Sequence, residues 1–235
     1  MRELLWKMKR LAMRRLWRRH RRFLLNRKGL RDQIVQDDAA FLRLFERLFN
    51  EGRTYMRIRE LYNLYRLAGE SLKVEGDMAE VGVYLGGSAR VICEVKGDRA
   101  LHLFDTFEGM PETDRKIDRY RTGSFAATSV EGVREYLKDF SNVRFHKGVF
   151  PGSAGNLRDP SLRFCFVNLD VDLYKSTRDA LDFFYSRMNR GGIILSHDYG
   201  FVRCPGVKKA FDEFFDDKPE PVIPLWDTQC AVVRL

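Results

Sequence analysis

Apolar positions along this chain follow two alternating patterns from residue 77 onward. Short, nearly continuous apolar runs cover 77–82, 101–105, 143–148, 163–170, 191–198 and 228–235, and each reads as a strand. Between them, 88–95, 129–137, 175–189 and 206–216 carry apolar residues at helical spacing. Strands that alternate with helices predict a doubly wound α/β fold around a mainly parallel sheet covered on both faces. Upstream, Asp37 and Asp38 open a predicted helix whose apolar face is Phe41, Leu42, Leu44, Phe45, Leu48 and Phe49, with Glu51-Gly52 at its end. Residues 55–73 predict a further helix, with Tyr62 and Tyr65 as core or rim aromatics rather than ligands. The chain therefore divides into an N-terminal arm (1–36), a helical region (37–75) and a main domain (76–235).

Charge changes the picture at one end only. Residues 1–31 hold thirteen Lys and Arg against Glu3 alone, so the arm carries +12 of a net +9 and the remainder carries −3. With neither Gly nor Pro between residues 2 and 28, the arm favours helix. Leu5, Trp6, Met13, Leu16, Trp17, Phe23 and Leu24 fall on one side and most arginines on the other, though Lys9 and Arg27 intrude. Such a segment suits an anionic membrane surface, a partner subunit or, less well, nucleic acid. No run is long enough to span a bilayer and no secretory signal is evident. Cys93, Cys165, Cys204 and Cys230 lack metal-ligand spacing, and Cys93 and Cys165 sit in apolar runs as expected of buried thiols. Together these features predict a cytoplasmic protein, peripheral on the inner face of the membrane if the arm engages lipid.

Candidate chemistry begins in the stretch 77–90. A buried strand leads into Gly82, Gly86 and Gly87 and then into a helix start, a turn that lets a ligand approach main-chain N–H groups beside the positive end of the helix. Asp105, closing the second strand, stands where nucleotide-binding α/β folds keep a carboxylate for ribose hydroxyls. Glu80 tilts the choice of adenosine ligand toward S-adenosylmethionine, whose charged amino-acid end a carboxylate can meet. Ser88, Thr106 and Phe107 are counted in the same pocket. Polar residues 106–128, broken by Gly109, Pro111 and Gly123, read as a lid, and the third strand, with His146 and Lys147 at its end, should close near the adenine.

A second cluster forms where strands end. Asp170 and Asp172 follow the fourth strand, and His197 and Asp198 the fifth, so all four fall on the rim shared with Asp105. Clustered carboxylates repel unless a proton or cation intervenes, and oxygen donors suit Mg²⁺.

The segments Glu80-Val-Gly-Val-Tyr-Leu-Gly-Gly-Ser, Phe104-Asp-Thr-Phe-Glu-Gly-Met-Pro, Asn168-Leu-Asp-Val-Asp-Leu-Tyr-Lys-Ser-Thr and Gly191-Gly-Ile-Ile-Leu-Ser-His-Asp-Tyr-Gly appear in order. With Val143-Arg-Phe-His-Lys-Gly-Val-Phe and Cys204-Pro-Gly-Val-Lys-Lys-Ala, they give residues 55–235 a pattern that resembles the macrocin O-methyltransferase-type family of class I, Rossmann-like methyltransferases. The resemblance implies S-adenosylmethionine, Mg²⁺-dependent methylation of sugar hydroxyls, a substrate cap formed by the helices of 37–75, and metal ligation by Asp170 and Asp198, with Asp170 also a candidate base. One departure stands out: the family has two acids at the end of the fifth strand, and this chain has His197-Asp198. Histidine suits Mn²⁺ better than Mg²⁺, so ligation, general-base action and mere packing all stay open for His197; Asp172 opens a helix and reads as a capping or orienting group. The expected function is an O-methyltransferase acting on a sugar or glycoside hydroxyl, the acceptor being a small molecule or a glycan, lipid-linked if the arm binds membrane, and the enzyme a candidate homo-oligomer. An RNA methyltransferase using the arm, and a binding protein that keeps the fold but has lost metal activation through His197, are the competing readings. The absence of a basic stripe in 32–235 counts against nucleic acid.

Overall fold

The computed structural model describes Val35, residues 37–155, Leu157 and residues 159–235. The expectations for the arm over residues 1–31 lie outside the described residues. Strands form at β1 (Asp77–Val81), β2 (Leu101–Asp105), β3 (Val143–Lys147), β4 (Phe164–Leu169), β5 (Met188–Ser196), β6 (Ile223–Pro224) and β7 (Cys230–Val233). They make one seven-stranded sheet in the order β3-β2-β1-β4-β5-β7-β6. Pairing is parallel from β3 through β5 and antiparallel for β7 and the short β6, so the sheet is mainly parallel as the pattern requires.

The helices are α1 (Ala39–Glu51), α2 (Ile58–Glu70), α3 (Gly87–Val95), α4 (Val130–Tyr136), α5 (Tyr174–Phe184) and α6 (Pro205–Phe215). Successive strand residues point to opposite faces. Met78, Leu103, Phe166 and Ile193 accordingly join a core with Phe41, Leu48, Leu61 and Ala89 of α1, α2 and α3. Their neighbours Ala79, Phe104, Val167 and Ile194 join a second core with Phe184 of α5 and Phe211 of α6. Helices α1 and α2 are thus built into the same core as the sheet. Tyr62 packs edge-on against Phe41 with ring centroids 4.9 Å apart. All four cysteines are buried free thiols. No helix among the described residues is long and apolar enough to cross a membrane.

Two differences from the sequence reading concern helix ends. The helix expected over 175–189 ends at Phe184; Tyr185–Arg187 tighten into a 3₁₀ turn, and Met188, paired with Phe164, already begins β5. The helix expected from residue 55 starts at Ile58, because the Glu60 carboxylate accepts the Arg57 N–H (2.7 Å) and caps the first turn there. Residues 53–57 are left as an extended wall beside the sheet's carboxyl edge.

Candidate active site

Chain crossings at two glycines assemble the site. Gly82 has φ +89°, and a Cβ on it would lie 1.9 Å from the Asp170 carbonyl oxygen. A Cβ on Gly87 would lie 2.4 Å from the Arg53 carbonyl oxygen. The absent side chains therefore admit the protein's own backbone: the end of β4 presses on the turn after β1, and the 53–57 wall crosses the start of α3. These segments enclose a cavity of about 720 Å³, within the range of small-molecule sites. Gly82, Gly87, Ser88, Asp105, Thr106, Asp170, His197 and Asp198 all line it.

Three expected cofactor residues sit off the wall. Gly86 abuts Val133. Phe107 is buried with its ring 6.4 Å from that of Phe145. Glu80 is fully buried beneath the turn, where its Oε1 accepts a hydrogen bond from Asn168 (2.8 Å) and its Oε2 has no partner. Burial pushes its pKa up to about 8 against the hydrogen bonds that would lower it.

Asp105 organises the turn from the opposite strand. Its Oδ2 accepts the Val83 and Tyr84 N–H groups at 2.7 and 2.9 Å, and its Oδ1 accepts the Phe107 N–H at 2.6 Å. A carboxylate offers about four acceptor positions; the fourth faces the Thr106 hydroxyl at 3.4 Å, whose single proton also reaches the Gly109 carbonyl at 2.5 Å. Residues 106–128 contain neither helix nor strand, as their polar, glycine- and proline-broken pattern predicts. They are pinned nonetheless: Met110 and Gly123 exchange main-chain bonds with Ser124 and Met110, and the Thr128 hydroxyl donates to the Tyr84 carbonyl. Asp118 accepts the Tyr174 N–H at the start of α5 (3.0 Å). Thr106, Met110, Tyr120 and Phe125 of this segment face the cavity. His146 does not: its ring stacks on Phe104 at 4.5 Å and pairs with His102, and the cavity wall near β3 comes from Gly148, Val149 and Phe150.

At the opposite side of the cavity, β4 and β5 bring Asp170, His197 and Asp198 together. His197 Nδ1 lies 3.3 Å from Asp170 Oδ1 and 3.0 Å from Asp198 Oδ1, while Nε2 lies 3.4 Å from Glu60 Oε2. Both ring nitrogens and Asp198 Oδ2 are buried without a hydrogen bond of proper geometry. Burial works against a charged imidazole, yet the Asp170 carboxylate beside it, with Asp198 and Glu60, holds His197 well above its usual pKa. Glu60 shows the reciprocal effect: burial raises it, but the His197 contact and charge bring it down to about 2. Burial raises Asp198, and raises Asp172 well above the carboxylate range with the neighbouring Asp198 and Asp170 charges adding to the effect. A positive charge among these carboxylates is what balances the rim, and a proton or a dication can supply it.

The donor set fits a small dication. One atom each from Asp170, His197 and Asp198 lie within 4.8 Å of one another, and the Nδ1–Oδ1 separations approach the roughly 3 Å edge of an octahedron with bonds of about 2.1 Å. Asp172 stands behind, its Oδ1 accepting the Cys204 thiol at 3.3 Å. Sequence reasoning missed Glu60, because as the third residue of a helix it reads as an ordinary cap. It also missed the cavity wall from Arg53 to Arg57 and Thr228 on the far side. A carboxylate four residues before Leu64, on one face of the helix with it, was the available signal for Glu60.

A parallel sheet with a glycine turn after its first central strand, a carboxylate closing the next, and an antiparallel last major strand define a class I methyltransferase fold. The Macrocin-O-methyltransferase (TylF) family matches residues 52–232, and the chain belongs to that family; it is an O-methyltransferase by fold and kinship. It is 30% identical over 194 residues to the demethyldecarbamoylnovobiocin O-methyltransferase of Streptomyces niveus, covering 72% of each chain. It is 33% identical over 147 residues to the 8-demethyl-8-(2,3-dimethoxy-alpha-L-rhamnosyl)-tetracenomycin-C 4'-O-methyltransferase of Streptomyces olivaceus, covering 56% of each. Among solved structures, the O-methyltransferase NovP superposes with a TM-score of 0.67 at 28% identity, over 77% of this chain and 82% of that one.

Proposed function

We propose that this protein transfers the methyl group of S-adenosylmethionine to a sugar hydroxyl, on a glycosylated small molecule or a glycan. The observation that carries the reading is the sharing of one cavity by the glycine turn with Asp105 on one side and by Asp170, His197 and Asp198 on the other. The named substrates of both relatives, a novobiocin precursor and a rhamnosyl tetracenomycin, support a sugar-bearing acceptor.

The start of α3, with Gly87 and Ser88, holds the amino-acid end of the cofactor, and Asp105 accepts from its ribose at the position where the Thr106 hydroxyl, 3.4 Å away, is the weakest of the present donors. Residues 106–128 cover the adenosine and exclude water. Asp170 is more open than Asp198, with 24% of its side chain exposed against 4%. It takes the proton from the acceptor hydroxyl as the O–CH₃ bond forms and the S–CH₃ bond breaks, leaving S-adenosylhomocysteine. The chain's main contribution is to hold the acceptor oxygen in line with the methyl. Asp170, His197 and Asp198 would hold a divalent cation, which when bound makes a neighbouring hydroxyl more acidic.

The test is isotopic methyl transfer from labelled S-adenosylmethionine across a panel of sugar nucleotides and glycosides, with cofactor binding followed by calorimetry. Transfer to a sugar, and cofactor binding that Asp105→Ala abolishes, is the expected result. A protein that binds no S-adenosylmethionine would end the proposal.

The charge asymmetry supports one addition, that residues 1–31 hold the enzyme on an anionic membrane surface and bring it near lipid-linked acceptors.

A further inference from the structure

We propose that Glu60 is a positioning residue that turns His197 into a nitrogen ligand, so that this rim prefers a dication of the Mn²⁺ type to Mg²⁺. The inference rests on the metal-site part of the proposed function and assigns a role to a residue of the cap helix.

The ring orientation is the first support. His197 directs Nδ1 at the two rim aspartates and Nε2 at Glu60. A histidine that ligates a metal through one nitrogen almost always gives its other N–H to a carboxylate or carbonyl, which fixes the tautomer and strengthens the ligand. Glu60 occupies that outer position.

Glu60 is also held more firmly than helix capping needs. Its Oε2 accepts the Arg57 N–H at 2.7 Å, its Oε1 accepts the Thr228 hydroxyl at 2.9 Å, and its carbonyl accepts from Gln229 Nε2 at 3.2 Å. Only 3% of the residue is exposed. A capping glutamate does its work at the surface; a buried one is costly unless a positive partner faces it. Helix α2, the 228–229 segment and β5 thus meet at one carboxylate whose remaining contact is the imidazole.

Donor chemistry supplies the preference. All-oxygen sets suit Mg²⁺, which dehydrates reluctantly and bonds poorly to imidazole. One imidazole beside two carboxylates moves selectivity along the first-row series toward Mn²⁺ and beyond. The imidazole stands between the two rim aspartates on one side and a carboxylate from another element, 3.4 Å from Nε2, on the other.

Pulsed electron paramagnetic resonance of Mn²⁺ bound to the full chain reads this directly. The expected result is a ¹⁴N coupling in the wild type that disappears in His197→Asp, and a Mn²⁺ affinity that falls about 10–100-fold in Glu60→Gln. Thr228→Val, which removes one anchor and leaves the helix cap intact, should weaken Mn²⁺ several-fold while the fold, followed by circular dichroism, is retained. Mg²⁺ should compete poorly against Mn²⁺ in the wild type and well in His197→Asp. Mn²⁺ bound without nitrogen coupling, no Mn²⁺ binding, or equal affinity in wild type and Glu60→Gln each overturns the inference. Calorimetry with S-adenosylmethionine in EDTA separates the two readings. Intact cofactor binding without nitrogen coupling removes the Glu60 assignment alone, whereas nitrogen-coupled Mn²⁺ without cofactor binding removes the methyltransferase reading and leaves this one standing.

Discussion

Gly82 and Asp170 touch backbone to backbone, since a Cβ on Gly82 would stand 1.9 Å from the Asp170 carbonyl oxygen. The turn beside the cofactor side and the strand end that carries the rim carboxylate are therefore one mechanical unit. Gly82→Ala should destabilise the protein by about 3 kcal/mol or more, from left-handed backbone strain plus overlap. Gly97, with φ +57° and nothing within 4 Å of its would-be Cβ, is the control for strain alone. Gly97→Ala should cost about 1 kcal/mol. Thermal unfolding of both variants checks the difference; equal losses would mean that the crossing at Asp170 relaxes freely.

Asp105 accepts three main-chain N–H groups from two segments. In Asp105→Asn one of its oxygens becomes an N–H₂ donor facing N–H groups, leaving buried donors unpaired at about 1–3 kcal/mol. Stability should drop by that amount, and S-adenosylmethionine affinity at least tenfold because the turn loosens with it. Calorimetric titration beside urea unfolding reads both, and a stable variant with wild-type affinity would show that Asp105 neither shapes the turn nor meets the ribose.

Glu80 gives a pH signature. Its pKa in the fold, about 8, is raised by burial above the ordinary 4.5. A raised pKa means that the folded state binds a proton the unfolded chain has released, so the stability it contributes is complete below about pH 4.5 and is lost as pH climbs toward 8. Glu80→Gln keeps an oxygen for Asn168 and does not titrate. The variant should gain on the wild type by about 2 kcal/mol or more between pH 5 and pH 8. Urea midpoints at the two pH values test this, and parallel curves would mean that the carboxyl is solvated.

How much of this was legible depends on whether neighbours in sequence or in space set each feature. Strands β1, β2 and β4 were readable because their apolar runs are self-contained, and the Gly82-to-Asp105 spacing because it repeats a local strand–turn–helix–strand logic. The end of α5 was not: Tyr185 to Met188 suit a helix by pattern, and only pairing with Phe164 makes Met188 a strand residue. Strand β6 exists because Ile223 and Pro224 lie against Ala231 and Cys230. The glycines were recognised but assigned to ligand access, while at positions 82 and 87 the space they leave belongs to Asp170 and Arg53. Glu60 was invisible as a site residue because its meeting with His197 is created by the fold, far from either residue's sequence neighbours.

The arm invites a measurement of its own. Thirteen basic residues in 1–31 stand against a remainder of net −3, so attraction to an acidic surface is local to one end of the chain. Near an anionic bilayer each basic residue contributes about 1 kcal/mol at most, falling off within a Debye length of about 10 Å at 0.1 M salt. Trp6, Trp17 and the leucines add apolar insertion that salt does not screen. The full chain should float with vesicles containing phosphatidylglycerol and not with pure phosphatidylcholine, and raising salt to about 0.5 M should weaken the association without abolishing it. A chain beginning at Asp37 should stay in solution with both while retaining its fold. If the two chains float alike, the arm has no membrane role; if RNA displaces the full chain from vesicles at equal charge, its attraction is for polyanions in general and apolar insertion contributes nothing.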